Sequence, residues 1–389
     1  MIANRGMFKN ILLLYLLANT LSCCTNVSPF PTQPTKPTIT TTSANGVIPT
    51  NTNDIPDATS VKETPDDQQR VDSRFPLLFS FLYFDSDTIL GPAEIYNLDL
   101  DGAIRGQLSR PADLSAHYVD PAWSPDCKKI AFAIDFGFGG EKSDELIGIM
   151  NLETGEEVEI SSPFPFNYFP SWSNDGKQIA FTARDEGNSH IYILNMDTES
   201  ITQLTFDGFN YNPDWSPIND KIIYVSEDKG ATSIFIMNAD GTGQREIIPS
   251  VWGSGSYNDP RMDRPNTPKW SPDGKLIAIK VREEALNRPA NKIYLVDADG
   301  SNPRRLVEGD RSEDDPDGTD YFIQWEYDPV WSPDGTEILF VRSYLPTDEV
   351  ELCFANVETG EVSCPGERYP AIGVEGLDWC HSDQGTLEN

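Results

Sequence analysis

An all-β fold, a six-bladed β-propeller of four-stranded antiparallel blades closed by a C-terminal strand that completes the first blade, is predicted by three observations. A phrase centred on tryptophan recurs, its copies are about one blade length apart, and the same order of strands and turns follows each copy. The copies read Pro121-Ala-Trp-Ser-Pro-Asp126, Pro170-Ser-Trp-Ser-Asn-Asp-Gly176, Pro213-Asp-Trp-Ser-Pro217, Pro268-Lys-Trp-Ser-Pro-Asp-Gly274 and Pro329-Val-Trp-Ser-Pro-Asp-Gly335, with a degraded copy at Leu377-Asp-Trp-Cys-His-Ser-Asp383. The Trp positions 123, 172, 215, 270, 331 and 379 are separated by 49, 43, 55, 61 and 48 residues, blade spacing inflated by insertions.

Within each unit the elements follow in order. After the Trp phrase comes an apolar run of strand length, such as Ile130-Ala-Phe-Ala-Ile134, Ile222-Ile-Tyr-Val-Ser226 or Ile338-Leu-Phe-Val-Arg342. A second run alternates (Ile191-Tyr-Ile-Leu-Asn195, Ile234-Phe-Ile-Met-Asn238, Ile293-Tyr-Leu-Val-Asp297), then a tight turn such as Asp240-Gly, Asp299-Gly or Thr359-Gly leads into a short fourth strand. Residues 77 to 110 supply three strands of a further blade but have no Trp phrase before them. The orphan strand around Trp379 is the piece that blade lacks, and pairing the two removes open sheet edges.

Composition agrees with a chain of many short elements. The 389 residues include 30 Pro and 28 Gly, with 8 Trp, 14 Tyr and 19 Phe to fill a core. Sixty-two Asp+Glu against 29 Lys+Arg give a net charge of −33, which argues against nucleic acid and anionic membrane surfaces as partners.

The propeller is assigned to residues 75–389 and two segments precede it. Residues 1–22 carry Arg5 and Lys9, then the apolar run Ile11 to Leu17, then small and polar residues, the order of a secretory signal. The run is too short to span a bilayer. Thr20-Leu-Ser-Cys-Cys24 resembles a bacterial lipobox, which implies lipidation of Cys23 or Cys24, an extracytoplasmic address in the periplasm or on the cell surface, and contact with the membrane through the anchor only. Residues 23–74 are rich in Thr and Pro and have no apolar periodicity, which predicts a disordered stalk or a loose tail.

With its five good copies of a phrase on the Trp-Ser-Pro-Asp-Gly pattern, the stretch from about 75 to 385 resembles the TolB-type propellers, a repeat also seen in propellers of prolyl oligopeptidase relatives. The resemblance implies the propeller fold and a module that binds a protein or peptide in the cell envelope. The family's separate N-terminal α/β domain finds no counterpart in 23–74.

Catalytic signals are thin. The sequence shows no Gly-x-Ser-x-Gly elbow, phosphate loop or His-Glu-x-x-His, and it has three histidines, His117, His190 and His381, too few and too scattered for the metal site of lyase-type propellers. No catalytic residue, metal or cofactor is assigned. The acidic turns Asp99-Leu-Asp-Gly102 and Asp297-Ala-Asp-Gly300 fit hairpins better than calcium loops, while 313–320 has enough carboxylates for either a calcium site or a solvated loop.

Variation among the copies marks the candidate site. The positions that lead into each innermost strand should ring one mouth of the channel, and they give Asp120, Tyr168, Asn210, Tyr211, Glu326, Tyr327, Asp328 and Glu375. An acidic, aromatic ring suits a basic or amphipathic peptide, or a sugar stacked on Tyr; alternatively the tyrosines plug the funnel. The expected function is a non-enzymatic, monomeric, lipid-anchored module that binds a protein or peptide, the alternative a carbohydrate-binding or polysaccharide-degrading envelope protein. Cys353 with Cys364, and Cys127 with Cys380, are placed to form disulfides in an oxidising compartment or to remain free thiols.

Overall fold

The computed structural model describes residues 39–42, 77–81, 84–85, 88–89, 93–98, 104–108, 116–136, 146–160, 164, 166–184, 187–228, 231–249, 266–285, 288–307, 325–344, 349–365, 369–370 and 374–381. Every regular element among them is a strand. The segment 1–22, Cys23, Cys24 and the acidic insertion 313–320 lie outside the described residues.

Before the repeat lie β1 (Ile39–Thr42), β2 (Leu77–Phe81), the short pair β3 (Phe84–Asp85) and β4 (Thr88–Ile89), β5 (Glu94–Leu98) and β6 (Ile104–Gln107). The first full unit is β7 (His117–Trp123), β8 (Lys129–Asp135), β9 (Leu146–Asn151) and β10 (Glu157–Ile160), and the second is β11 (Phe166–Trp172), β12 (Gln178–Arg184), β13 (Ser189–Asn195) and β14 (Ile201–Gln203). Then follow β15 (Phe209–Trp215), β16 (Lys221–Asp228), β17 (Ala231–Asn238) and β18 (Arg245–Ile248), and β19 (Asn266–Trp270), β20 (Leu276–Ala285), β21 (Arg288–Asp297) and β22 (Arg304–Arg305). The last elements are β23 (Trp325–Trp331), β24 (Glu337–Tyr344), β25 (Glu349–Asn356), β26 (Val362–Ser363), β27 (Tyr369–Pro370) and β28 (Val374–Trp379).

Each unit is an antiparallel sheet in chain order with the Trp strand at its inner edge. One parallel bridge, Ser189 to Phe209, links two successive units into a continuous sheet. The C-terminal strand β28 pairs with β2 in the register Leu77↔Trp379 and Leu78↔Asp378, giving the order β28-β2-β5-β6. The second strands are buried on both faces, as Ile130 to Ile134 and Ile222 to Val225 are, which is why they read as continuous apolar runs.

The Ser and Asp of the repeat build the turn after the inner strand. Ser124, Ser173, Ser271 and Ser332 each donate a hydroxyl hydrogen bond to the Asp two residues on, at 2.6 to 2.8 Å. That carboxylate accepts the amide two residues further along, and the Ser oxygen accepts the first amide of the returning strand or its neighbour, as in Lys129 and Gln178. The motif therefore satisfies a hairpin that would otherwise leave buried donors unpaired.

The inner strands are stitched from unit to unit at the residue before Trp. Ser171 Oγ accepts from Trp215 N at 2.9 Å, Asp214 Oδ2 from Trp270 N at 2.8 Å and Asp378 Oδ2 from Trp123 N at 2.6 Å. The last of these bonds β28 to β7, and β28 also lies against β23. Cys127 and Cys380 form a disulfide across the same junction, and Cys353 and Cys364 form one within the last full unit.

One segment departs from the sequence expectation. Residues 39–42, inside the stretch read as a disordered stalk, form β1 and pair with β10. A β-branched Ile-Thr-Thr-Thr run suits a pleated edge, and β10 offers one.

Candidate functional site: the inner-strand ring

Each inner strand carries a bulge. The register shifts between Val119 and Ala122, Tyr168 and Ser171, Tyr211 and Asp214, Asn266 and Lys269, and Tyr327 and Val330. At every bulge the residue three before Trp takes a left-handed conformation: Asp120 (φ 52°), Phe169 (52°), Asn212 (50°), Thr267 (48°), Asp328 (53°) and Gly376 (88°). The extra residue upsets strict alternation, so neighbouring positions face differently from what a simple strand predicts. Gly376 is required on space as well, since a Cβ there would lie 2.9 Å from Asp120 Cα.

The positions sort by their distance from Trp. Five before it, Tyr118, Asn167, Asn210 and Glu326 are all buried, at 4%, 0%, 2% and 1% exposure. Asn210 donates through Nδ2 to Asp207 O at 2.6 Å, and Asn167 does the same to Phe164 O at 3.1 Å, so both brace the approach to the strand. Glu326 is enclosed by cations: Arg342 Nη2 lies 3.2 Å from Oε1 and Lys292 Nζ 3.7 Å from it, and Ile293 N donates to Oε2 at 3.4 Å. Asn210 and Glu326, expected at the mouth, are instead buried braces that precede the bulge, and the bulge makes them face differently from the residue two positions on.

Four before Trp, Tyr168, Tyr211 and Tyr327 are partly buried, and each packs against a hydrophobic cluster, Tyr168 beside Val119 and Ala133 and Tyr327 beside Val330 and Leu339. They do not form a flat exposed platform. Burial, and then the Asp328 charge, push the Tyr327 phenol well above its ordinary pKa. Glu375 lies in β28, and its side chain is outside the described residues.

Asp120 and Asp328 stay partly exposed and belong to a charged group whose other members, Asp214, Lys269, Lys280 and Asp378, were not among the eight. Lys269 Nζ lies 3.3 Å from Asp214 Oδ1, and its ammonium also acts electrostatically on Asp378, Asp120 and Asp328. Lys280 faces Asp328 in the same way. Burial pushes the carboxyls of Asp214, Asp328 and Asp378 up from the usual carboxylate range, against the opposing pull of Lys269 and, at Asp328, of Lys280. Burial also draws Lys269 down, but Asp214, Asp378 and Asp120 together carry it above its ordinary value. Aligning the copies one residue before Trp (Ala122, Ser171, Asp214, Lys269, Val330, Asp378) would have exposed this cluster.

The three histidines sit apart. His117 accepts from Ala93 N at 3.0 Å, His190 lies by Thr205 Oγ1 at 3.5 Å on another unit, and His381 follows β28. The turn at 297–300 is a hairpin in which Asp299 accepts Ser301 N and Asp297 accepts Asn302 Nδ2. Residues 99–102 and 313–320 lie outside the described residues.

The family model for the TolB beta propeller domain matches residues 85–314. The chain belongs to that family. Among curated proteins, the Tol-Pal system protein TolB of Alcanivorax borkumensis is 39% identical over 69 residues, 18% of this chain and 15% of that protein. Among solved structures, TolB from Acinetobacter baumannii superposes with a TM-score of 0.57 at 21% identity, covering 78% of this chain and 66% of that one. A putative TolB from Agrobacterium tumefaciens gives 0.52 at 20% identity, over 70% of this chain and 87% of the other. A nidogen/laminin complex gives 0.55 at 12%, over 79% and 98%. The TolB propeller fold thus accounts for the repeat, while this chain spans well under a quarter of the curated relative's length and less than two thirds of the A. baumannii chain.

Proposed function

We propose that this TolB-family propeller is an extracytoplasmic, lipid-anchored binding module whose channel mouth takes a protein or peptide partner carrying positive charge. The observation that carries the reading is the charged group: Asp120, Asp214, Asp328 and Asp378 lie within electrostatic reach of Lys269, and Asp120 and Asp328 occupy the left-handed bulge position that recurs among the described inner strands. Four carboxylates against Lys269 and Lys280 leave an acidic surplus when the carboxyls are ionised. A left-handed bulge held at identical positions costs stability, and such strain is kept where it positions groups for use. The similarity to a protein named for the Tol-Pal system supports an envelope partner rather than a soluble substrate. Tyrosines packed into clusters leave little flat surface for a sugar, so the protein or peptide reading stands ahead of the carbohydrate one.

Closure into six blades is part of the same reading. It is supported by the β28–β2 pairing, by the Trp123 N to Asp378 bond, and by the contact of each described inner strand with the next.

The test is Asp120→Asn with Asp328→Asn, since Asn keeps the shape and tolerates the left-handed backbone. Capture from envelope extract with the wild-type domain, compared with the double variant, should show the partner lost or weakened at least tenfold with the melting temperature within a few degrees. Wild-type binding should also weaken as salt rises from 50 to 300 mM. Undiminished, salt-independent capture by the variant would remove the mouth from the function.

A further inference from the structure

The outermost position of the first full unit is filled from outside the repeat. β1 pairs antiparallel with β10 in the register Ile39↔Ile160, Thr40↔Glu159, Thr41↔Val158 and Thr42↔Glu157. Among the described strands, the other units of this kind end at β6, β14, β18, β22 and β26 with nothing beyond. Two of those ends, β22 and β26, are two residues long, too short to template a partner. β10 has four residues and is covered.

Two independent features fit this segment to this edge. The first is alternation. Ile160 is buried and Val158 packs against the same cluster, whereas Glu157 accepts the Tyr118 hydroxyl at 2.7 Å and so belongs to the opposite face with Glu159. The register sets Ile39 and Thr41 opposite the apolar pair and Thr40 and Thr42 opposite the glutamates, and a slip of one residue would put Ile39 opposite Glu159. The second is charge. In a chain of net charge −33, the stretch from Thr25 to Asn53 contains no Asp or Glu, and Lys36 is its one charged residue. An edge bearing two glutamates repels most of this protein's own loops but not that stretch. Pro37, two residues ahead of Ile39 in the sequence, has no amide hydrogen to give to a ladder.

We propose that the edge of β10 is a strand-acceptor site, filled in cis by Ile39–Thr42, and that an extended, acid-poor partner strand of β-branched and hydroxyl residues fits it by displacing β1. A four-residue ladder closed by the long connection 43–76 is suited to exchange, because few hydrogen bonds work against the entropy of closing that loop. Main-chain pairing would supply the affinity and the Ile/Thr alternation the selectivity. One consequence rests on the anchored reading above: with Cys23 lipidated, docking leaves residues 24–38 between lipid and propeller, about 50 Å extended, against about 180 Å for the released tether. The site itself does not depend on the anchor.

The experiment uses the full chain and the variant Thr40→Pro with Thr41→Pro, which removes the ladder donors of β1 whichever way they point. Hydrogen exchange should be at least tenfold faster at 157–160 in the variant, with β7 and β8 unchanged as the check on folding. An acetylated, fluorescent peptide of residues 36–43 should bind the variant at least tenfold more tightly than the wild type, and a version carrying Thr40→Glu and Thr42→Glu should bind neither. Unchanged exchange at 157–160, or equal peptide binding to both proteins, overturns the proposal. Protection at 157–160 that grows with protein concentration assigns the strand to a second copy and overturns occupation in cis. Palmitate labelling, scored separately, reports on the anchor alone.

Discussion

Glu199 and Asp328 show what single positions reveal. The hairpins after β9, β13 and β25 share one design: Asn151, Asn195 and Asn356 accept amides two and three residues on, and the fifth residue turns left-handed. That residue is Gly155 and Gly360 in two of them but Glu199, at φ 57°, in the other. Glu199→Gly should therefore stabilise the domain by about 0.5–1 kcal/mol, the left-handed penalty less the entropy Gly adds to the unfolded chain; thermal unfolding reads it, and a lower melting temperature would contradict it. Asp328 bears on pH. A carboxyl whose folded pKa is raised binds its proton more tightly in the native state, so stability falls as pH rises from the ordinary carboxylate value through the raised one. Asp214 and Asp378 act in the same direction. His381, beside Asp214 and Lys269, and His117 act oppositely, because burial lowers their pKa and their contribution falls as pH drops. The test is therefore the difference between proteins: Asp328→Asn should raise the melting temperature relative to wild type, and by more at higher pH than at lower. A variant that follows the wild-type profile would show that Asp328 contributes nothing to it. Of the eight mouth residues proposed from sequence, Asp120 and Asp328 lie in the charged ring, whereas Asn210 and Glu326 are buried, because strand alternation is legible but a bulge that resets it is not.

Elements were the most legible level. Trp-Ser-Pro-Asp-Gly could be read as a turn after an inner strand because the hydrogen bonds that need Ser and Asp are local, within five residues. The closing strand was legible by elimination, one strand lacking a sheet and one sheet lacking a strand. The disulfide pairing of Cys127 with Cys380 spans 253 residues and ties the turn after β7 to the end of β28. Cys380→Ser should lower stability by roughly 2–5 kcal/mol on loop-entropy grounds. Removing 371–389 goes further, uncovering β2 and the Trp123 amide, and should yield aggregated protein by light scattering. A truncated domain that stays monomeric with the wild-type melting temperature would contradict the clasp.

At the scale of the molecule, a net charge of −33 makes like copies repel one another at long range. The address is tested there too. Growth with an alkynyl palmitate should label the wild-type protein, and Cys23→Ala with Cys24→Ala should abolish the label and release the protein from the membrane fraction; a double variant still labelled would remove the anchor.

The sequence by itself determined the all-β class, the blade grammar, the Trp register and the pairing of the last strand with the strand at 77–81, because these rest on local turn chemistry and on a repeat that averages over many copies. Only the tertiary structure decided that Lys269 gathers aspartates from several inner strands, that Glu326 is neutralised inside between Lys292 and Arg342, and that Ile39–Thr42 lies on β10. Those facts depend on which side chains meet across units far apart in the chain. Such meetings occur once each, so no repetition in the sequence marks them, and the bulge that aims the ring is a backbone event no single residue type encodes.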